Sequence, residues 1–199
     1  RYKAYVTVDT DGARAQAAEA DEAYAQGTAG PLCGLPVSLK DLFALPGVAA
    51  SCGVAAPPRP AGQEMAPLVA ALRAAGAVIL GRVHLHPLAF GLDGENPILG
   101  TPQNPRAEAA IPGGSSSGSA VSVAAGLALL SIGTDTGGSV RIPAACCGIV
   151  GFKPTHGALD ARLAFPVAPS IDHMGVLARG VTDCRLAFEA LTRTDVSLP

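Results

Sequence analysis

Two glycine-flanked serine turns, Gly113-Gly114-Ser115-Ser116-Ser117-Gly118 and Gly133-Thr134-Asp135-Thr136-Gly137-Gly138-Ser139, set Ser115 and Ser139 twenty-four positions apart. Glycine beside serine lets the main chain turn sharply and brings bare N–H groups up to a reacting oxygen. The interval between the turns reads as a helix, Ser119 to Gly126, followed by a strand, Leu127 to Ile132. Both turns are therefore expected at the ends of packed elements. Lys40 lies upstream in Val37-Ser38-Leu39-Lys40-Asp41, delivered by a short alternating strand over Leu35 to Leu39. Two hydroxyls and an amine can supply a nucleophile, a proton relay and a base without histidine or metal.

The flanking pattern alternates helices with strands. Asp9-Thr10-Asp11 reads as a cap for a helix over Ala13 to Gln26, which ends at Gly27. After a Pro/Gly-rich loop, Leu45 to Gly62, an amphipathic helix is expected over Met65 to Ala75, with Leu68, Leu72 and Ala75 on one face. Gly76 stops it, and Ala77 to Leu80 is a buried strand. An irregular stretch, Asp93 to Gly114, leads into the first serine turn. Arg141 to Cys147 reads as a short helix, Ile149 to Phe152 as a strand, and Thr182 as the cap of a helix over Asp183 to Thr192 bearing Cys184, Leu186, Phe188 and Leu191. The implied architecture is a single α/β domain over residues 1–199, a mixed and largely parallel twisted sheet covered by helices on both faces.

Composition narrows the function classes. A net charge of −2 with no cluster of basic residues argues against a nucleic-acid surface. The longest apolar run, Ala120 to Ile132, is too short to span a bilayer, so no membrane anchor is expected. Five cysteines without a C-x-x-C pair fit reduced thiols in a cytoplasmic protein, and the adjacent Cys146 and Cys147 read as buried small hydrophobes rather than a redox pair. His84 and His86 form an H-x-H, but Pro87 and the lack of nearby carboxylates or thiols favour a structural role over metal binding. His156 reads as a turn residue.

The chemistry turns on Lys40. An ordinary lysine, with a pKa near ~10.4, stays charged at neutral pH, whereas burial disfavours the ammonium. Asp41 beside it pulls the other way if it touches the amine, so the sequence leaves the sign open. Ser139 closes a Thr-Gly-Gly-Ser turn whose successive N–H groups can form an oxyanion nest. Gly114-Ser115-Ser116-Ser117-Gly118 also fits G-x-S-x-G with Ser116 as nucleophile, but Pro112 and two glycines stand where that elbow needs a strand.

Taken together, Val37 to Asp41, Gly94-Glu95-Asn96-Pro97, Gly113 to Ala120, Gly133 to Pro143 and the Gly148 to Thr155 run resemble the amidase signature family, in order, between about Gly34 and Leu191. The resemblance implies a twisted mixed sheet between helices and amide hydrolysis by a Ser–cis-Ser–Lys triad. It implies Ser139 as nucleophile, Ser115 as the relaying serine after a cis Gly114–Ser115 peptide, and Lys40 as base. It further implies an oxyanion hole from the N–H groups of Thr136, Gly137, Gly138 and Ser139, support from Ser116 and Thr134, and a bracing Asp135–Arg141 ion pair. No metal or organic cofactor is implied.

The first functional expectation is hydrolysis of a small-molecule carboxamide, with no nucleic acid or membrane partner and a homo-oligomer left open. Gly94 to Pro97 and Thr101-Pro102-Gln103-Asn104-Pro105 resemble general amidases and favour it. The alternative is the A subunit of a glutamyl-tRNA(Gln) amidotransferase, which would require a second protein, ATP and tRNA. A third is an inactive truncated fragment. Family members run about twice this length, and the chain starts without Met and stops at Ser197-Leu198-Pro199 directly after a helical pattern, so a fragment lacking the C-terminal half is expected.

Overall fold

A computed structural model describes residues 1–58 and 60–192, so Ser197 to Pro199 lie outside the described residues. Six strands form one sheet in the order β1-β3-β2-β4-β6-β5. They are β1 (Tyr5–Val8), β2 (Pro36–Lys40), β3 (Val78–Val83), β4 (Leu130–Asp135), β5 (Val150–Phe152) and β6 (His173–Ala178). The helices are α1 (Thr10–Ala25), α2 (Pro67–Ala74), α3 (Ser117–Ala124), α4 (Arg141–Cys147) and α5 (Val181–Thr192).

The sheet is mixed, as expected, with its parallel pairings confined to the centre: β2 runs parallel to both β3 and β4. β1 on β3, β6 on β4 and β5 on β6 are antiparallel. β4 is buried along its whole length, which its continuous run of apolar and small residues permits. One face packs Val37, Leu39, Ile132 and Val176 against Leu72 of α2 and Cys184 and Ala187 of α5. The other packs Leu177 against Ala120 and Val121 of α3 and Ala144 and Cys147 of α4.

Local chemistry sets the element ends. The Asp9 carboxylate accepts the Gly12 N–H at 3.0 Å and caps α1. Gly76 follows α2 at φ +89, where an added Cβ would stand 2.8 Å from Cys33 Cα. α3 begins at Ser117, two residues earlier than expected, and β4 begins at Leu130, because Leu127 and Leu129 are exposed in the turn after Gly126. α5 begins at Val181, so Thr182 lies within its first turn rather than capping it. Its buried stripe is Cys184 and Ala187, with Phe188 and Leu191 packed beside it, while Leu186 faces outward. β1 and β6 were not foreseen. Each gains strand identity through an antiparallel partner distant in sequence, β3 and β4 respectively.

Candidate active site

Lys40 and Thr134 stand at the carboxyl ends of the neighbouring parallel strands β2 and β4, the place where an open α/β sheet leaves a crevice. Lys40 is 0% exposed and donates through Nζ to Ser115 Oγ and to Thr134 Oγ1, both at 2.7 Å. Burial pushes its pKa down to about 7, against Asp135, Asp172 and the Cys52 thiol, which favour the charged form. Asp41 turns away to Arg82 (3.2 Å) and to the N–H and hydroxyl of Ser51.

The Gly114–Ser115 peptide is cis. Gly114 is packed so closely that a Cβ would lie 2.7 Å from Gly94 N and 2.8 Å from the Gly91 carbonyl. His86 N–H donates to the Ser115 carbonyl at 3.0 Å, and Ser116 N–H to the Ser139 carbonyl at 3.1 Å. The two serine turns are therefore laced together through their backbones. Ser116 Oγ donates to the Thr134 carbonyl (3.2 Å) and accepts the Thr134 N–H (3.3 Å), so it fixes the end of β4. Gly133 leaves room for that contact, since a Cβ there would stand 2.7 Å from Ser116 Oγ.

Asp135, fully buried, braces the second turn. Its carboxylate accepts from the N–H groups of Gly138 (2.8 Å), Val140 (3.1 Å) and Arg141 (3.4 Å) and from Arg141 Nε and Nη2, both at 2.9 Å. Burial works to raise the Asp135 carboxyl, but the Arg141 and backbone hydrogen bonds outweigh it and hold it below the ordinary value. The Gly138 N–H is thus engaged by Asp135 in the brace. Among the described residues no acceptor takes the N–H groups of Thr136, Gly137 or Ser139.

The sequence missed three features of this region. Asp172 accepts from the Thr136 hydroxyl at 2.5 Å. Ser38 is bonded to Ser131 (2.8 Å) and Ser122 (2.9 Å) in a buried hydroxyl cluster, two residues before Lys40 on β2. Asn96 donates to the Gly53 and Leu85 carbonyls and accepts from the Ile98 and Leu99 N–H groups, which gives the Gly94 to Pro97 motif a loop-pinning role. An isolated Asp, Ser or Asn gives no sequence signal of such long-range partners.

The side chains of the remaining candidates have other partners. His86 meets the Asp93 carboxylate at 3.4 Å, and His84 is buried beside Ala4. Cys147 donates to the Pro112 carbonyl at 3.4 Å, and burial pushes its thiol up to about 12. His156 rests against the Pro169 carbonyl at 3.3 Å. No helix among the described residues is long and apolar enough to cross a membrane.

Known proteins resemble this chain in both sequence and fold. The A subunit of glutamyl-tRNA(Gln) amidotransferase from Desulfotalea psychrophila is 45% identical over 195 residues, covering 98% of this chain and 40% of its own length. The same-named protein of Geobacter sulfurreducens is 43% identical, covering 100% of this chain and 42% of its own length. This chain thus spans about two fifths of the curated relatives it matches. The name they share refers to a charged tRNA, which stands against the expectation of no nucleic-acid involvement. Among solved structures, an amidase superimposes with a TM-score of 0.92 at 41% identity, over 99% of this chain and 45% of that one. The peptide amidase of Stenotrophomonas maltophilia does so with a TM-score of 0.88 at 37% identity, over 98% of this chain and 41% of that one. The amidase family model matches residues 1–198. With the family model matched over residues 1–198 and relatives above 40% identical across nearly all of its length, this chain belongs to the amidase family.

Proposed function

We propose that the chain forms the amide-cleaving centre of a longer, cytoplasmic protein, with Ser139 as nucleophile, Ser115 as proton relay and Lys40 as base. The observation behind this reading is Lys40 itself, buried, inclined to lose its charge and bonded to Ser115 Oγ at 2.7 Å. Neutral Lys40 takes the Ser115 proton as Ser115 takes that of Ser139, whose Oγ adds to the amide carbonyl. The oxyanion is held by turn N–H groups left without an internal acceptor. The Lys40 ammonium then returns its proton through Ser115 to the leaving nitrogen, the C–N bond breaks, and an acyl-Ser139 ester remains for water. No step calls for a metal or organic cofactor.

The curated relatives, at 43–45% identity, support an amidotransferase component in which the freed ammonia passes to a charged tRNA held with partner proteins. A free-standing hydrolase of small carboxamides is the second reading, favoured by the amidase and peptide amidase likenesses at 41% and 37% identity. The test is ammonia release by the full-length protein from glutamine and from a panel of simple carboxamides. It is run alone and with the cognate partner proteins, ATP and glutamyl-tRNA. Turnover of glutamine only in the assembled complex supports the transferase; turnover of simple amides alone supports the hydrolase. Retained turnover in Ser139→Ala would exclude both.

A further inference from the structure

Asp172 is 8% exposed and lies just ahead of β6, distant in sequence from Ser139. Its Oδ1 accepts from Thr136 Oγ1 at 2.5 Å, and its Oδ2 accepts from the N–H groups of Val167 and Ala168, both at 2.9 Å. No cation pairs with it among the described residues. One carboxylate, served by three neutral donors, therefore joins the serine turn to the segment 161–169. Under that segment lies a hollow whose lining includes Thr134, Phe165, Val167, Asp172 and Met174. Thr134 in turn accepts from Lys40.

The two halves of the nucleophile turn are held differently. Asp135 secures the distal half through Gly138, Val140 and Arg141. Thr136 is half-buried and Gly137 is exposed, yet this proximal half supplies N–H groups left without an internal acceptor. Among the described residues, the side-chain holds on it are the Thr136–Asp172 bond and the contact of His173 Nδ1 with the Asp135 carbonyl at 3.2 Å; the first reaches Thr136 itself. A turn that must present N–H groups to a developing charge works only if it cannot drift.

We infer that Asp172 is a positioning residue: by gripping Thr136 Oγ1 it fixes the proximal half of the nucleophile turn, so that its free N–H groups meet the oxyanion. This inference rests on the acyl-Ser139 reading and is tested so that the two can fail separately. The probe is a fluorophosphonate, which phosphonylates an activated serine with loss of fluoride and places a P–O oxygen where the oxyanion forms. Labelling rate at Ser139 is measured in the full-length protein carrying Thr136→Val, Thr136→Ser, Asp172→Asn, or Thr136→Val with Asp172→Asn. Readings at pH 9 keep Lys40 neutral throughout, because Asp172, like Asp135 and Cys52, favours its charged form. Thr136→Val and Asp172→Asn are each expected to slow labelling about 10- to 100-fold, the range for partial loss of oxyanion stabilisation. The double variant should be no slower than the slower single one, because both act on the one Thr136–Asp172 link, Thr136→Val by deleting the hydroxyl and Asp172→Asn by removing the charge that strengthens it. Thr136→Ser restores the hydroxyl and should label within about threefold of the parent protein. Wild-type labelling in Thr136→Val, multiplied effects in the double variant, or losses that merely follow a fall in melting temperature would overturn the inference. If Asp172→Asn fails to fold, the Thr136→Val and Thr136→Ser pair decides. Absence of labelling at Ser139 in the unmodified protein would instead overturn the acyl-enzyme reading.

Discussion

Lys40 gives the sharpest quantitative prediction, because its role depends on losing a proton near neutral pH. Burial takes its pKa down to about 7. With a single titration there, the neutral fraction is about 9% at pH 6, about half at pH 7 and about 91% at pH 8. In the full-length protein, kcat/KM for the amide substrate should therefore rise about tenfold from pH 6 to pH 8 and level off above it. Lys40→Met removes the amine, and Lys40→Arg keeps a cation that does not deprotonate. Both should lose about 10²–10⁴ in rate together with the acid limb. Stability has its own sign: an unfolded lysine titrates at its ordinary 10.5, so between about 7 and 10.5 the unfolded chain binds the extra proton. Folding stability should hence be fully developed above 10.5, fall as the pH drops towards 7, and lose this dependence in Lys40→Met. A rate profile flat from pH 5.5 to 9, or an acid limb that survives Lys40→Met, would refute the assignment.

Three further changes follow from the packing around the site. Arg82→Met strands the buried Asp41 carboxylate and leaves the Val48 and Ala49 carbonyls without their donor; urea unfolding should show a loss of about 3–5 kcal/mol, and a neutral result would contradict the clamp. Asn96→Ala deletes four hydrogen bonds to Gly53, Leu85, Ile98 and Leu99, so chemical denaturation should register a loss of about 3 kcal/mol; unchanged stability would show that the loop is held some other way. Gly133→Ala puts a methyl 2.7 Å from Ser116 Oγ, costing about 1–3 kcal/mol in a melting experiment and lowering kcat as Ser116 shifts; wild-type kcat would mean that Ser116 is dispensable.

Much of this arrangement was legible in the chain, for reasons that differ by element. Glycines that must turn or admit a close backbone announced both serine turns, and Gly114 and Gly133 are indeed packed too closely for a Cβ. The strand ending at Lys40 was readable from the local alternation of its apolar residues, although the folded strand is buried on both faces from Val37 to Lys40. Arg141 to Cys147 fell within its expected bounds, closed by Gly148 in a left-handed conformation. β1 and β6 escaped, since their identity comes from partners far along the chain. Asp172 escaped for the same reason: its three donors are Thr136, Val167 and Ala168, and only the folded sheet brings Thr136 to it. The bond from Gly138 N–H to Asp135 was not legible either, because the sequence shows that Asp135 is near but not which N–H groups its oxygens choose.

The low lysine pKa has a further structural requirement, visible in how the nearby carboxylates are partnered. Asp41, Asp135 and Asp172 are all buried, and an unpartnered carboxylate would draw out a salt bridge with Lys40 and keep it charged. Each is instead satisfied elsewhere: Asp41 by Arg82 and Ser51, Asp135 by Arg141 and the turn, Asp172 by Thr136, Val167 and Ala168. Lys40 is left with two hydroxyls, which can receive its hydrogen bonds without fixing its charge. The carboxylates still act on it through space, and burial exceeds them. Arg82 and Arg141, which never touch the amine, thus keep their carboxylates from it and help leave Lys40 free to act as a base.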